Sequence, residues 1–386
     1  MIEIIDQKTA IASLSAADRK VAISTAARSA LRALPGIYES DASDPSEALL
    51  PMIRASLIAV VAGSMQLENA AEQAEASVVF SVPTAEKASN AAHSAIRSAS
   101  AAVSSVSRSA TVSAANAIAR SADCAARSAY RLAHSSEIAA REAALRADAV
   151  SYRVSSQDIQ LLLDSEVTSD VFLQPLWLDE DVPTGLEHRL KELREFWGST
   201  PKVWRYWDQW YGGFLSGNPV AWDVQQAIAM LPNEDWVKGP ERIAEQIDKI
   251  EARIALEKRL QELQGLLISE SKNRNGIGGN YPPDPIETIA EVPRELVVVW
   301  EPLTALQQQA HSDEPDISAI KRAINKLAAI AVGCGAWTWA KANVFLDTAL
   351  KTGGAAAGTA AIAFTTGHGD KIIAVIKAAL DWLAFL

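Results

Sequence analysis

Residues 88–150 can fold into little except helix. More than half of them are alanine or serine and no proline interrupts them, and alanine is the strongest helix former. Arginine recurs in matched settings: "IRSA" at 96–99, "SRSA" at 107–110, and "ARSA" at 119–122 and 126–129. Arg97 and Arg108 are eleven residues apart, Arg120 and Arg127 seven, spacings that return to nearly one helix face. Small side chains bury little area each, so such helices gain stability by close backbone approach to a partner. The pattern predicts a rigid helical arm or hairpin, or a basic strip for an acidic partner.

The flanking segments are helical in a different way. Residues 8–34 place Ile11, Leu14, Val21, Ile23, Leu31 and Leu34 at helical spacing, and Pro35-Gly36 is expected to end that element. A second helix is expected from Pro45, where proline suits a first turn. Its apolar centre, Ala55 to Val61, is too short to cross a bilayer and reads as a core helix. Residues 156–270 are rich in tryptophan, and Trp204, Trp207, Tyr211 and Phe214 fall on one helix face. From Pro240 a charged helix carries a single apolar stripe of Ile243, Ile247, Ile250, Ile254 and Leu260 or Leu263. The one β-like run, "ELVVVW" at 295–300, stands between Pro293 and Pro302. The chain therefore reads as all-α and modular. We expect an N-terminal helical region (1–70), an Ala/Ser-rich arm (71–155), a Trp-rich helical domain (156–270), a Gly/Pro linker (271–293) and an apolar basic C-terminal helical module (294–386).

Charge and sparse chemistry narrow the function. A net charge of −11 excludes a general nucleic-acid binder, which needs a basic surface for phosphates. The balance is uneven: Ile317 to Leu386 holds seven Lys/Arg against three acids, a net of +4. Cys124 and Cys334 stand far apart, without zinc spacing or a disulfide framework, as expected of a reducing cytoplasm. The N-terminus lacks a basic start and an apolar h-region, so no secretory signal is expected. His93, His134, His188, His311 and His368 lie on five segments with no second ligand at metal spacing. Asp179, Glu180 and Asp181 sit in a proline-bounded stretch that reads as a solvated turn. Neither a cofactor nor a metal is expected, and no catalytic residue stands out.

The stretch "SKNRNGIGGNYPPDP" at 271–285 invites comparison with a phosphate loop. Such a loop follows a strand and opens a helix, so that backbone N–H groups meet the anion. Here a helix pattern precedes the glycines and a proline-rich, extended segment follows. We expect an exposed linker read by a protein partner or a protease, with Arg274, Asn275, Gly276, Ile277, Gly278, Gly279 and Asn280 as the recognised residues. A plain spacer is the alternative.

"AARSALRALP", "PLW", the pattern "W…W..WY...L.GNP…W" and "LPNEDWVKGPERIAEQI" together resemble a tryptophan-rich pattern in helical proteins of alphaproteobacteria. "GIGGNYPP" is similar to a Gly-Ile-Gly-(His)-Asn-x-Pro-Pro signature that recurs in bacterial and phage proteins. The resemblance spans roughly residues 8–285. It implies a recurring exposed motif between two modules and brings no assigned activity. Gly279 stands where His is usual, so any chemistry that the histidine does elsewhere is lost here.

The C-terminal segment is the most distinctive. "LAAIAVGCGAWTWA" at 327–340 and "GGAAAGTAAIAFTT" at 353–366 are uncharged, yet fourteen helical residues reach only about 21 Å against a hydrocarbon core of about 30 Å. Gly354 and Gly358 have the GxxxG form that lets helices touch closely. The last helix, "KIIAVIKAALDWLAFL", spreads Ile372, Val375, Ile376, Leu380, Leu383 and Leu386 across a broad apolar face, with Trp382 and lysines that suit a headgroup zone. Such a helix docks into a core or enters an anionic membrane after a switch. Three functions follow as expectations. One is a non-enzymatic antiviral or toxin effector, cytoplasmic with conditional inner-membrane association, whose C-terminal helices are released or rearranged at 274–285. The second is a structural or adaptor protein that binds partners and homo-oligomerises. The third is a helical enzyme with a site near Trp207 and Trp222.

Overall fold

The structure, a computed structural model, describes residues 19–38, 45–64, 154, 157–158, 160–162, 168–178, 181–182, 184–275, 294–333 and 369–386. These residues are 85% helical, with no strand among them. The protein is all-α, as the spacing of its apolar residues predicts. The Ala/Ser-rich arm lies outside the described residues.

The chain divides into two compact units, Met1–Ile247 and Asp248–Leu386. In the first unit, α1 (Arg19–Ala33) packs against α2 (Pro45–Ser64). Both are buried over most of their described length: Ile23 to Thr25, Ala27 to Leu34, and Met52 to Val61 are all buried. Helices with no polar face must sit inside a core. Their hydroxyls are satisfied by backbone, Ser29 Oγ donating to Thr25 O at 2.9 Å and Ser56 Oγ to Met52 O at 2.8 Å. Pro35-Gly36 does not simply stop the chain's helical course. Leu34–Ile37 tightens into a 3₁₀ turn, with Pro35 at its start where no N–H is needed.

A 3₁₀ helix, Thr168–Leu173, leads into α3 (Thr184–Ser199) and α4 (Pro201–Ser216). On α4 the expected stripe of Trp204, Trp207, Tyr211 and Phe214 is buried, and Val203, Tyr206 and Trp210 join it. Edge-to-face contacts such as Trp207 on Trp210, with centroids 5.6 Å apart, knit the rings together. The helix ends at Gly217 with φ 72°, the left-handed cap that glycine adopts without a Cβ clash. Two short helices, α5 (Trp222–Ala229) and α6 (Asn233–Val237), complete this part.

Helix α7 (Pro240–Asn275) contributes to both units. Ile243 and Ile247 are buried in the first; Leu256, Leu260, Leu263 and Leu267 belong to the core of the second. The division between the two units thus falls at Ile247, inside a helix. Helix α7 also runs through "SKNRN", since none of these residues breaks a helix before Gly276.

The second unit adds α8 (Arg294–Ala310), α9 (Ile317–Gly333) and α10 (Gly369–Leu383). "ELVVVW" is helical within α8, where the burial of Val299, Leu303 and Leu306 outweighs β-propensity. The positive charge balance starts only at Ile317: over residues 294–386, eight Lys/Arg meet eight Asp/Glu. Two of these basic groups are neutralised locally, Lys326 on Glu301 at 2.8 Å and Arg322 on Asp316 at 3.5 Å.

Candidate functional site

Helix α1 contains a chemical problem. Arg28 and Arg32, four residues apart, project from a helix with no solvent face, and both side chains are buried. An unpaired guanidinium in such a place is strongly unfavourable, so acceptors must be supplied. They come from 126 to 148 residues away in sequence.

Arg28 Nε donates to Asp158 Oδ1 at 2.8 Å. Its Nη1 donates to Val171 O at 2.7 Å and Gln174 O at 3.1 Å, and its Nη2 to Pro175 O at 2.7 Å and Leu176 O at 3.4 Å. The five donors of one planar fork are thus matched to a carboxylate and to the carbonyl end of a 3₁₀ helix, a geometry that lysine cannot reproduce. Arg32 Nε donates to Leu176 O at 2.9 Å, and its Nη2 lies 2.6 Å from Asp158 Oδ2. That last contact is an ion pair without hydrogen-bond alignment. Arg32 also stands over the Trp177 ring, 5.8 Å from its centroid. Two buried cations share one buried carboxylate, and the remaining charge is met by carbonyl dipoles and an aromatic face.

The clamped turn, "QPLWL", is held from another side as well. Leu176 N donates to Phe214 O at 2.9 Å. Phe172 meets Phe214 and Trp222 edge-on at 6.0 and 5.8 Å. A Cβ at Gly217 would lie 2.7 Å from Leu173 O and 2.8 Å from Pro175 N, so only glycine admits this approach. At the end of the turn Leu178 takes φ 50°, strain that persists because the surroundings fix it. Leu173 and Gln174 face outward.

A third arginine repeats the theme. Arg54 of α2, also buried, stacks on Trp236 at 5.0 Å and donates to Asn233 Oδ1. Burial lowers Arg28 and Arg54 to pKa values of about 10. Both remain charged at neutral pH, so neither is poised to shuttle a proton. The clamp organises backbone through Arg28 and Arg32 Nε, while Arg32 Nη1 and Nη2 are buried without a hydrogen-bond partner among the described residues.

The expected site residues lie elsewhere. Arg274 and Asn275 form the last turn of α7, while Gly276, Ile277, Gly278, Gly279 and Asn280 lie outside the described residues, as do Gly354 and Gly358. Ile372, Ile376 and Trp382 are buried, and Leu383 packs partly buried against the same core, together with α7, α8 and α9. The apolar side of the last helix is therefore covered by this chain. His188 and His311 are exposed, and the other histidines lie outside the described residues. Among the described residues no group of three or more His, Cys, Asp or Glu could hold a metal ion, and no helix is long and apolar enough to cross a membrane.

The arginine clamp escaped the sequence reading, although a signal was present. In "ISTAARSALRA" every other position is small or apolar, and the two arginines, four residues apart, share one helix face. The clamp joins "AARSALRALP" to "PLW", two of the stretches on which the resemblance rests. No family model, curated protein or solved structure matches the chain.

Proposed function

We propose that this chain is a non-enzymatic helical adaptor that holds protein partners. One observation carries the reading: the buried charges of the first unit are spent on architecture. Arg28 and Arg32 donate to backbone carbonyls of a single turn, and Asp158 is consumed in pairing them. Catalytic sites instead keep perturbed groups open to a substrate. A turn fixed in this way presents a pre-ordered surface, which lowers the ordering cost of association. By composition, the "YPPDP" stretch offers a second place for a partner, since proline restricts the backbone and lowers the entropy lost on binding. Assembly into homo-oligomers belongs to the same reading.

The test is recovery of the tagged full chain from its own cells after crosslinking, with light scattering on the purified protein. An adaptor brings at least one protein in near-equimolar amount, or has a mass that is a multiple of 41.3 kDa. A monomer recovered alone contradicts the proposal.

A second reading, a membrane-perturbing effector, is favoured by α10. Its buried side includes Trp382, whose Nε1 has no hydrogen-bond partner among the described residues, and Lys371 reaches Glu262 only at 3.9 Å in an exposed pair. An indole N–H gains a partner in a headgroup zone. Dye leakage from phosphatidylglycerol vesicles on adding the full chain would support conditional inner-membrane action. Intact vesicles, across conditions that open the second unit, would remove it.

A further inference from the structure

We infer that α7 beyond Ile247 and helices α8, α9 and α10 form one core that survives a break in the chain between α7 and α8. A cut between α7 and α8 then yields an assembled two-fragment protein, not a freed C-terminal module. This goes beyond the adaptor reading and does not depend on it.

The argument starts from which side chains share the core. Leu256, Leu260, Leu263 and Leu267 recur every three or four residues along α7, one face of the helix, and each is fully buried. They pack in the same cluster as Val299, Leu303 and Leu306 of α8, Ile320, Ile324 and Leu327 of α9, and Ile372, Ile376 and Trp382 of α10. Polar ties lie at its edge: Gln264 Nε2 donates to Gln307 Oε1 at 3.1 Å, and Lys371 faces Glu262 at 3.9 Å. The stretch 276–293 joins two helices of one core, so its two ends belong to the same unit. Severing it removes a covalent tether but none of these buried contacts. Conversely, residues 294–386 without α7 would bare the surface that four leucines cover, and an isolated fragment of that kind would associate non-specifically. The event that opens this unit is therefore withdrawal of α7, and the chain connection is secondary.

The experiment uses the full chain with residues 279–285 replaced by the recognition sequence of a site-specific protease. After complete cleavage, size exclusion at micromolar concentration is expected to give one peak holding both fragments at the elution volume of the uncut protein. Separation of the cut fragments in native buffer would overturn the inference. A second variant assigns the contact: Leu260→Asp with Leu263→Asp, once cut, is expected to separate. Co-elution of that cut variant would overturn the role given to the leucine face of α7.

Discussion

Arg28 and Asp158 meet at 2.8 Å with both side chains fully buried, although 130 residues separate them in sequence. Removing one partner leaves the other charged and dry, which costs about 3–5 kcal/mol. Asp158→Asn and Arg28→Met are each expected to destabilise the first unit by that amount. Arg28→Lys is expected to do nearly the same, because one ammonium cannot serve a carboxylate and four carbonyls. Urea unfolding followed by tryptophan fluorescence reads this directly, since seven of the eleven tryptophans lie in that unit. A loss below about 1 kcal/mol, the range of an exposed pair, would contradict the clamp.

Glycine substitutions separate close approach from mere flexibility. A Cβ at Gly265 in α7 meets nothing within 4 Å, so Gly265→Ala is expected to stabilise by about 0.5–1 kcal/mol. A Cβ at Gly213 would lie 2.7 Å from Asn218 O and 3.0 Å from Pro219 Cα, both backbone atoms that cannot swing aside. Gly213→Ala is expected to destabilise by about 1–3 kcal/mol. Melting curves of the two variants should move in opposite directions.

Two buried tryptophans differ in one hydrogen bond. Trp210 Nε1 donates to Gln225 Oε1 at 2.9 Å, whereas Trp382 Nε1 has no partner among the described residues. Replacement by phenylalanine opens a similar cavity in each case. At 210 it also orphans a buried amide oxygen, while at 382 it removes an unmet donor, each worth about 1–3 kcal/mol. Trp382→Phe should therefore be tolerated within about 1 kcal/mol and Trp210→Phe should cost about 2–4 kcal/mol. Equal losses would argue against the difference in pairing.

Alkaline pH tests the burial of Tyr211, whose hydroxyl donates to Leu31 O at 3.1 Å. Burial raises its pKa well above the usual tyrosine value. Folded Tyr211 keeps its proton where the unfolded chain loses it, so the unfolded state binds fewer protons above pH about 10. Its contribution is fully present below pH about 10 and falls as pH rises through the raised folded value. Tyr211→Phe should be less stable than wild type at neutral pH and should lose stability less steeply above pH about 10. A parallel pH profile would contradict this assignment.

The sequence made local geometry legible. Spacing placed Trp204, Trp207, Tyr211 and Phe214 on a buried face, and Ile243 to Leu263 along a buried stripe. What it concealed depends on contacts between distant residues. Periodicity assigns a face to Arg28 but does not name Asp158 or the carbonyls of 171–176 as its acceptors. The apolar stripe of α7 continues unchanged past Ile247, so it gave no sign that its two parts serve different cores. The packing of Leu256 to Leu267 with side chains of α8, α9 and α10, which sets the unit that α7 ends in, is likewise a contact between distant residues that spacing does not name. Trp210 joins the core because α4 is covered more widely than a single stripe requires.

The account holds that the buried charges are architectural and that the protein acts by holding partners. The most direct measurement takes Ser24→Ala, Arg28→Lys, Arg32→Lys and Asp158→Asn, and records for each the stability of the first unit and the molar amount of crosslinked partner recovered. Ser24, whose Oγ donates to Gly63 O at 3.0 Å, supplies the mild end of the series, at about 0.5–1.5 kcal/mol. The account predicts one relation across all four, with partner recovery falling only as stability falls. A variant of wild-type stability that recovers no partner would contradict it, because its side chain would then act directly and not through the fold.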